Sequence, residues 1–353
     1  MGDIEKKADD LAARYFGSAT PACSLLAAKD GNVVFRKAYG MADLENGIPA
    51  TPDHNFIIAS NTKQFTCLAV LMLRDRGLLA LDETIERFFP DFPDYRKKVT
   101  VRMLMEHTSG IPDYFDERFE SRLKEAAEAD TAEMLRIAKT LGGTDFEPGT
   151  QFSYSNTGYV MLGDIVRQLS GKSFGRFLET EVLAPLGMDR SFAPDYMDQR
   201  DPHQTEGYQN GDVSGTFKRV PYDMLEVGYA DGNISSNTDD MLKWHAFLYG
   251  DDPGYGAEVI EKSHLKELYT PGRLADGTAL DYGLGIMTGE LDADHRCVKG
   301  RRELWHTGGS MGFISRVSYF PDDKVSLIML TNWLEVPRDE FFFGFADAVF
   351  SSI

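Results

Sequence analysis

The sequence predicts an α/β protein of the α+β kind: an antiparallel sheet flanked by helices, with a mainly helical domain inserted into it. Two patterns and the length carry that prediction. Strand-like patterns lie near both ends of the chain, and helical periodicity fills the middle. The simplest packing joins the two ends into one sheet covered by helices. A length of 353 residues suggests about two domains. The expected division is 1–80 with 235–353 for the sheet domain and 81–234 for the helical one.

The elements follow in order. Ile4, Ala8, Leu11, Ala12 and Tyr15 share one face of a helix over residues 3–16. Residues 23–28 and 32–39 flank Asp30-Gly31, a two-residue hairpin signal. A loop then leads to Phe56-Ile57-Ile58-Ala59, to Ser60, and to the apolar segment 67–73, a buried helix ending near Gly77. Helical patterns are expected at 101–107, 131–141, 157–169, 174–183 and 238–249. Strands are expected at 282–288, 303–306, 313–320 and 325–331, with Asp322-Asp323 in the last turn. Residues 341–350 close the chain as a helix. The acidic cluster at 125–130 reads as a solvated face.

Composition narrows the function. Acidic residues outnumber basic ones, 56 to 37, for a formal charge of −19. A nucleic-acid binder needs the opposite balance, and anionic membranes repel such a chain. No apolar run reaches the roughly 20 residues of a membrane span. The polar start, Met1 to Lys7, lacks a signal-peptide core. The expectation is a cytoplasmic protein, or one whose leader was removed. Cys23, Cys67 and Cys297 are odd in number and far apart, which argues against a disulfide framework or a zinc cage.

Acyl transfer needs a nucleophilic hydroxyl, a base and donors for the oxyanion. Ser-x-x-Lys on a helix sets an amine one turn from a hydroxyl. It occurs at Ser60/Lys63, Ser121/Lys124 and Ser263/Lys266. Ser121 lies among charges, and Ser263 reads as the N-cap of a surface helix. Ser60 opens an apolar helix, where Lys63 is partly desolvated and pushed toward the neutral, basic form. The plain alternative is that Ser60 only caps a helix.

Tyr154-Ser155-Asn156 is the second signal. A Tyr beside a Lys can act as general acid or base, and the Asn amide can hold a carbonyl or the Lys. Asn156 can equally be the N-cap of a helix starting at Thr157. A competing Tyr-x-Asn stands at Tyr208/Asn210. The third signal is His306-Thr307-Gly308-Gly309, where glycines let backbone approach a ligand or simply form a Gly-rich connection. Gly308-x-Ser310-x-Gly312 matches a nucleophile elbow, but no His follows it and a strand rather than a helix is expected next. That reading is rejected.

Ser-x-x-Lys, Tyr-x-Asn and His-Thr-Gly in this order resemble the serine β-lactamase/penicillin-binding-protein superfamily, in its class C-like branch. Leu104 to Ile111 is similar to that branch's LLxHTSGL segment, Tyr282-Gly283-Leu284-Gly285 to its YGLGW strand, and Asp231 to Ser236 to its GGLxST segment. The resemblance runs from about residue 20 to 335. It implies a β-lactamase/transpeptidase-like fold with the site between the two domains. By resemblance Ser60 is the nucleophile, and Lys63 and Tyr154 share the base role, with no assignment between them. The oxyanion hole is the N–H of Ser60 and of Gly309. Asn156, His306, Thr307, Gly308 and Tyr114 line the substrate site.

One departure bears on substrate. Where β-lactamases and DD-peptidases carry Lys in the third motif, this chain has His306, which can be neutral near pH 7. The expectation is a serine hydrolase of a small ester, amide or D-amino-acyl bond, as in the family's esterases, D-aminopeptidases and D-amino-acid amidases. Alternatives are an acyltransferase, a DD-peptidase, a weak β-lactamase or a non-catalytic binding protein. No metal or organic cofactor is implied. The partner is a small-molecule or short-peptide substrate, and the oligomeric state is unreadable.

Overall fold

The structure is a computed structural model that describes residues 2–123, 131–195, 199, 201–221, 229–290 and 298–353. The acidic cluster at 125–130, Lys124 and Cys297 lie outside the described residues.

Six strands form the main sheet: β1 (Cys23–Lys29), β2 (Asn32–Tyr39), β3 (Met287–Glu290), β4 (Arg302–Ser310), β5 (Phe313–Phe320) and β6 (Val325–Thr331). Their order is β2-β1-β6-β5-β4-β3, every pair antiparallel. The join between the chain ends is β1 on β6, with Cys23 opposite Thr331 and Lys29 opposite Val325. Helices around it include α1 (Gly2–Ala12), α2 (Thr62–Asp75), α3 (Asn156–Ser170), α4 (Thr238–Tyr249) and α5 (Arg338–Phe350).

Alternation along the central strands buries both faces. Leu25, Ala27, Leu327 and Met329 point to a core shared with Ile4 and Ala8 of α1 and Phe341 and Phe345 of α5. Leu26, Ala28, Ile328 and Leu330 point to a larger core with α2, α3 and α4. Each large apolar side chain so buried contributes about 1.5–3 kcal/mol. Phe65 of α2 stacks on Trp244 of α4 with ring centroids 3.9 Å apart, and the Trp244 indole N–H donates to Gln64 Oε1 at 2.9 Å.

Two strands differ from the sequence reading. β4 runs on to Ser310 instead of stopping at His306, because Thr307 to Ser310 pair with Arg316 to Phe313. The turn that follows is Met311-Gly312, with φ of 46° and 84°, the positive-φ pair of a tight hairpin. Ser310 therefore sits in a strand–turn–strand unit, not in a nucleophile elbow. Conversely β3 begins only at Met287. Gly285 has φ of 79°, and a Cβ there would lie 2.7 Å from the Lys63 carbonyl oxygen. The segment 282–286 is a turn pressed onto α2, not a strand. The first helix is shorter than expected, ending at Ala12, and the last longer, starting at Arg338.

Candidate active site

Strand-like Phe56–Ile57 pairs with Ser235–Ser236, and the Ile58 N–H donates to the Ile234 carbonyl at 2.9 Å. Ala59 then turns the chain with φ of 47°, a left-handed conformation that a residue with a Cβ adopts only under constraint. Ser315 of β5 supplies part of that constraint. Its hydroxyl donates to the Ile58 carbonyl at 2.7 Å and accepts from Asn61 Nδ2 at 2.8 Å. Gly308 supplies the rest, since a Cβ there would meet the Ile58 oxygen at 2.3 Å and Ala59 Cβ at 2.9 Å. Its missing side chain lets β4 lie against the turn that presents Ser60.

Ser60 sits in the 3-10 turn Ala59–Asn61 at the head of α2. The N-cap of α2 is Asn61, which makes no capping bond through its side chain, so Ser60 is not the cap. Lys63 lies one turn on and has no exposed surface. Its Nζ is 3.1 Å from Ser60 Oγ, 2.7 Å from Asn156 Oδ1 and 2.9 Å from the Asp231 carbonyl oxygen. The last two partners can only accept. They take two of the lysine's N–H bonds and leave its third position facing the serine hydroxyl. An ammonium donates there, and a neutral amine receives the serine's hydrogen there. The arrangement accommodates both ends of a proton transfer.

Asn156 can serve Lys63 only through its oxygen, and Asp113 fixes that orientation. The Asp113 carboxylate accepts from the Asn156 backbone N–H at 2.5 Å and from Nδ2 at 3.1 Å, so Oδ1 must face the lysine. The helix α3 is capped by Ser155, whose Oγ accepts from the Gly158 N–H at 3.4 Å. Asn156 is the first helical residue rather than the expected cap. Tyr154 is half-buried beside it, with Nζ of Lys63 4.9 Å from its ring centroid. Tyr114 is buried, and its hydroxyl donates to Asp231 Oδ2 at 2.7 Å.

Two histidines and a tyrosine form one directed chain behind Tyr154. The Ser155 N–H donates to His107 Nδ1 at 3.0 Å, which makes Nε2 the protonated nitrogen of His107. That Nε2–H reaches Tyr282 Oη at 3.2 Å. The Tyr282 hydroxyl is left to donate to His306 Nε2 at 3.1 Å, and the His306 Nδ1–H donates to the Thr307 carbonyl at 2.6 Å. Each ring carries one proton, and each nitrogen has a partner. Burial, with Lys63 adding to it, pushes His306 down to about 3. His107 is pushed well below the ordinary range by the same causes, with His306 as a further one. His306 is thus a neutral ring turned into the protein. Thr307 is half-buried next to it, and Gly309 is exposed on β4.

The decoys lie elsewhere. Ser121 is exposed, with its hydroxyl on the Arg118 carbonyl at 3.4 Å. Ser263 is not a cap: it lies inside the short helix Lys262–Leu265, whose N-cap is Glu261. Tyr208 is buried in the strand Tyr208–Asn210, and its hydroxyl donates to Glu45 at 2.5 Å.

His107, Tyr282 and Asp231 stand within the motifs of the sequence without a site role of their own there, and Asp113 stands in none of them. For Asp231 the signal was present: an acidic residue in the first position of a segment resembling GGLxST. Asp113 carries no signal beyond standing next to Tyr114.

Among the described residues, no helix is long and apolar enough to cross a membrane. The beta-lactamase family model matches residues 8–342. The chain is 31% identical to penicillin-binding protein 4* of Bacillus subtilis over 323 residues, covering 88% of this chain and 67% of that protein. It is 27% identical to the D-aminopeptidase of Gluconobacter oxydans, covering 95% of this chain and 59% of the relative. The chain thus spans about six-tenths of the length of such curated relatives. The crystal structure of D-amino acid amidase from Ochrobactrum anthropi SV3 superposes with a TM-score of 0.79 at 25% identity, covering 99% of this chain and 98% of that one. With the match running over nearly its whole length, this chain belongs to the beta-lactamase family.

Proposed function

We propose that the protein is a serine hydrolase that forms an acyl-enzyme on Ser60 and cleaves a small ester, amide or D-amino-acyl bond. The observation that carries this reading is the position of Lys63 Nζ, 3.1 Å from Ser60 Oγ and otherwise held only by acceptors. In the proposed course, Ser60 Oγ attacks the substrate carbonyl carbon while its proton passes to the Lys63–Tyr154 pair. The N–H groups of Ser60 and Gly309 hold the oxyanion. The carbonyl carbon's bond to the leaving group then breaks, and Tyr154 gives that group its proton. Water attacks the acyl-enzyme with the same base and restores Ser60. Asn156 both holds Lys63 and faces the substrate amide. With the site goes the proposed division into residues 1–80 plus 235–353 and residues 81–234, the substrate binding between them.

The neutral His306 bears on substrate choice. It offers no fixed cation for a substrate carboxylate, which favours amides and esters over penicillin-like acids. The names of the relatives, D-aminopeptidase and D-amino acid amidase, support a D-amino-acyl amide as the first substrate to try.

The test is intact-protein mass after exposure to a fluorophosphonate, with wild type beside Ser60→Ala. One adduct on wild type and none on the variant is expected. Equal adducts on both would place the nucleophile elsewhere. A panel of D-aminoacyl amides, nitrophenyl esters and β-lactams then sorts the substrates. Diversion of the acyl group to an added amine would mark a transferase instead.

A further inference from the structure

Asp231 is a buried acid whose backbone carbonyl reaches Lys63 Nζ, and the backbone bonds of its segment do not require a carboxyl side chain. The segment 230–234 wraps the start of α2 through its backbone. The Ala230 carbonyl accepts from the Thr66 hydroxyl, the Asp231 carbonyl from Lys63 Nζ at 2.9 Å, and the Ile234 carbonyl from the Ile58 N–H. A glycine at 231 would offer the same carbonyl. Instead a carboxylate stands there, only 3% exposed. Its Oδ2 takes the Tyr114 hydroxyl at 2.7 Å, and its Oδ1 is buried with no hydrogen-bond partner. A buried carboxylate oxygen without a donor is rare in native structures, and one beside a catalytic lysine calls for a reason.

Resting on the acyl-enzyme reading above, we infer that Asp231 is a positioning residue that supplies the counter-charge for Lys63 as Lys63 takes up the Ser60 proton. The groups around Nζ leave no other candidate so placed among the described residues. The rings of Tyr154 and Tyr159 face it at 4.9 and 5.3 Å and offer only weak attraction. His107 and His306 are neutral, held so by their hydrogen-bond chain. Cys67, one turn further along α2, is a buried thiol whose ionisation is pushed up to about 12 by burial. Asp113 engages Asn156 with both oxygens and reaches Lys63 only through that amide. Asp231 alone has an uncommitted oxygen. Burial is the largest influence and leaves its carboxyl above the ordinary carboxylate range; Lys63 and then the Tyr114 hydroxyl favour its charged form against that burial, and Asp113 disfavours it. The acid and the lysine are therefore electrostatically linked.

The test follows the rate at which Ser60 is labelled by a fluorophosphonate, from pH 5 to pH 10, read by intact mass, with thermal unfolding in parallel. Asp231→Asn keeps the shape and an acceptor for Tyr114. It is expected to fold, to label about tenfold more slowly at its plateau, and to shift the acidic limb of the profile to lower pH, because a lysine without its counter-charge is a weaker base. Asp231→Glu, which restores the charge, is expected to move the limb back toward wild type. If Asp231→Asn does not fold, Asp231→Gly, with the residue of the resembled segment, carries the same expectations. A slower rate with an unmoved limb would make Asp231 merely structural and overturn the inference, as would an unchanged rate. A wild type that takes no label would overturn the acyl-enzyme reading itself, a different result from any of these.

Discussion

Lys63 and Arg316 are both buried basic side chains, and the fold holds them in opposite ways. Arg316, on β5, is 5% exposed and meets Glu303 of β4, which has no exposed surface. Its Nη2 reaches both Glu303 oxygens at 3.1 Å, and its Nη1 reaches Asp339 at 3.1 Å. The rings of Phe342 and Phe343 each lie 4.6 Å from the guanidinium. Lys63 has neutral oxygens for direct partners, with a carboxylate held one step away. On the proposed mechanism, the difference follows from what each side chain must do. A guanidinium keeps its proton, so pairing Nη1 and Nη2 with two carboxylates fixes the sheet to α5. An amine that gives and takes a proton would be trapped in its charged form by the same pairing.

The largest effect tests that contrast at the lysine. Lys63→Met keeps the length and removes the amine. Fluorophosphonate labelling of Ser60 should slow by about a thousandfold or more, while the unfolding midpoint falls only modestly, because Asn156 Oδ1 and the Asp231 carbonyl lose a partner but an apolar chain suits the buried position. A midpoint that collapses would mean that Lys63, like Arg316, is mainly a structural charge.

The next effect tests the contrast at the arginine. Glu303→Ala leaves Arg316 buried with Asp339 alone and should lower stability by about 3–5 kcal/mol in urea unfolding. The labelling rate per folded molecule should not change. A lost rate with intact stability would tie this pair to the site through β4 and erase the distinction.

How legible these features were in the sequence depends on the reach of each interaction. Ser60 and Lys63 were readable because their contact is local, three residues apart on a helix that the apolar run announces. The strands near both chain ends were readable for the same reason. Asn156 was readable as a polar residue before a helix, but its role depends on Asp113, 43 residues away, and no spacing rule joins them. Gly308 and Gly309 resembled a loop because glycine disfavours strands, yet pairing with β5 on one side and close approach to Ala59 on the other keep them extended. Gly283 and Gly285 misled in the other direction. Alternating apolar residues suggested a strand where the backbone instead turns onto Lys63.

A third kind of buried charge site sharpens the comparison: the neutral one. His306 stands at about 3, far below its ordinary 6.5, because burial and Lys63 disfavour its charged form. Below pH 6.5 the unfolded chain takes a proton there that the folded chain refuses, so stability falls as pH drops from 6.5 toward 3. At pH 4 the loss from this residue is about 3 kcal/mol. His306→Gln should flatten that part of the stability curve in urea unfolding at pH 4 against pH 7. An equally steep fall in the variant would assign the acid sensitivity elsewhere, with His245, buried and also lowered to about 3, the next to replace.

Glu106 gives the smallest effect and the opposite sign. It precedes His107 and is 7% exposed. Its nearest cation is Arg102 at 3.8 Å, and a Cβ on Gly272 would come within 2.8 Å of its carboxyl carbon. Burial raises it from 4.5 to about 7, with Arg102 opposing. The folded chain therefore keeps a proton that the unfolded chain releases above pH 4.5, and stability falls as pH rises from there toward 7. Above pH 7 the loss is about 2–3 kcal/mol, with the Arg102 guanidinium favouring the charged form. Glu106→Gln keeps the neutral shape and should remove that loss, so that the variant's stability exceeds that of wild type at pH 8 and matches it near pH 4.5. Equal stability of the two at both pH values would mean that Arg102 already compensates the charge. Glu106 would then belong with Arg316 among the paired charges rather than with His306 among the buried groups held neutral.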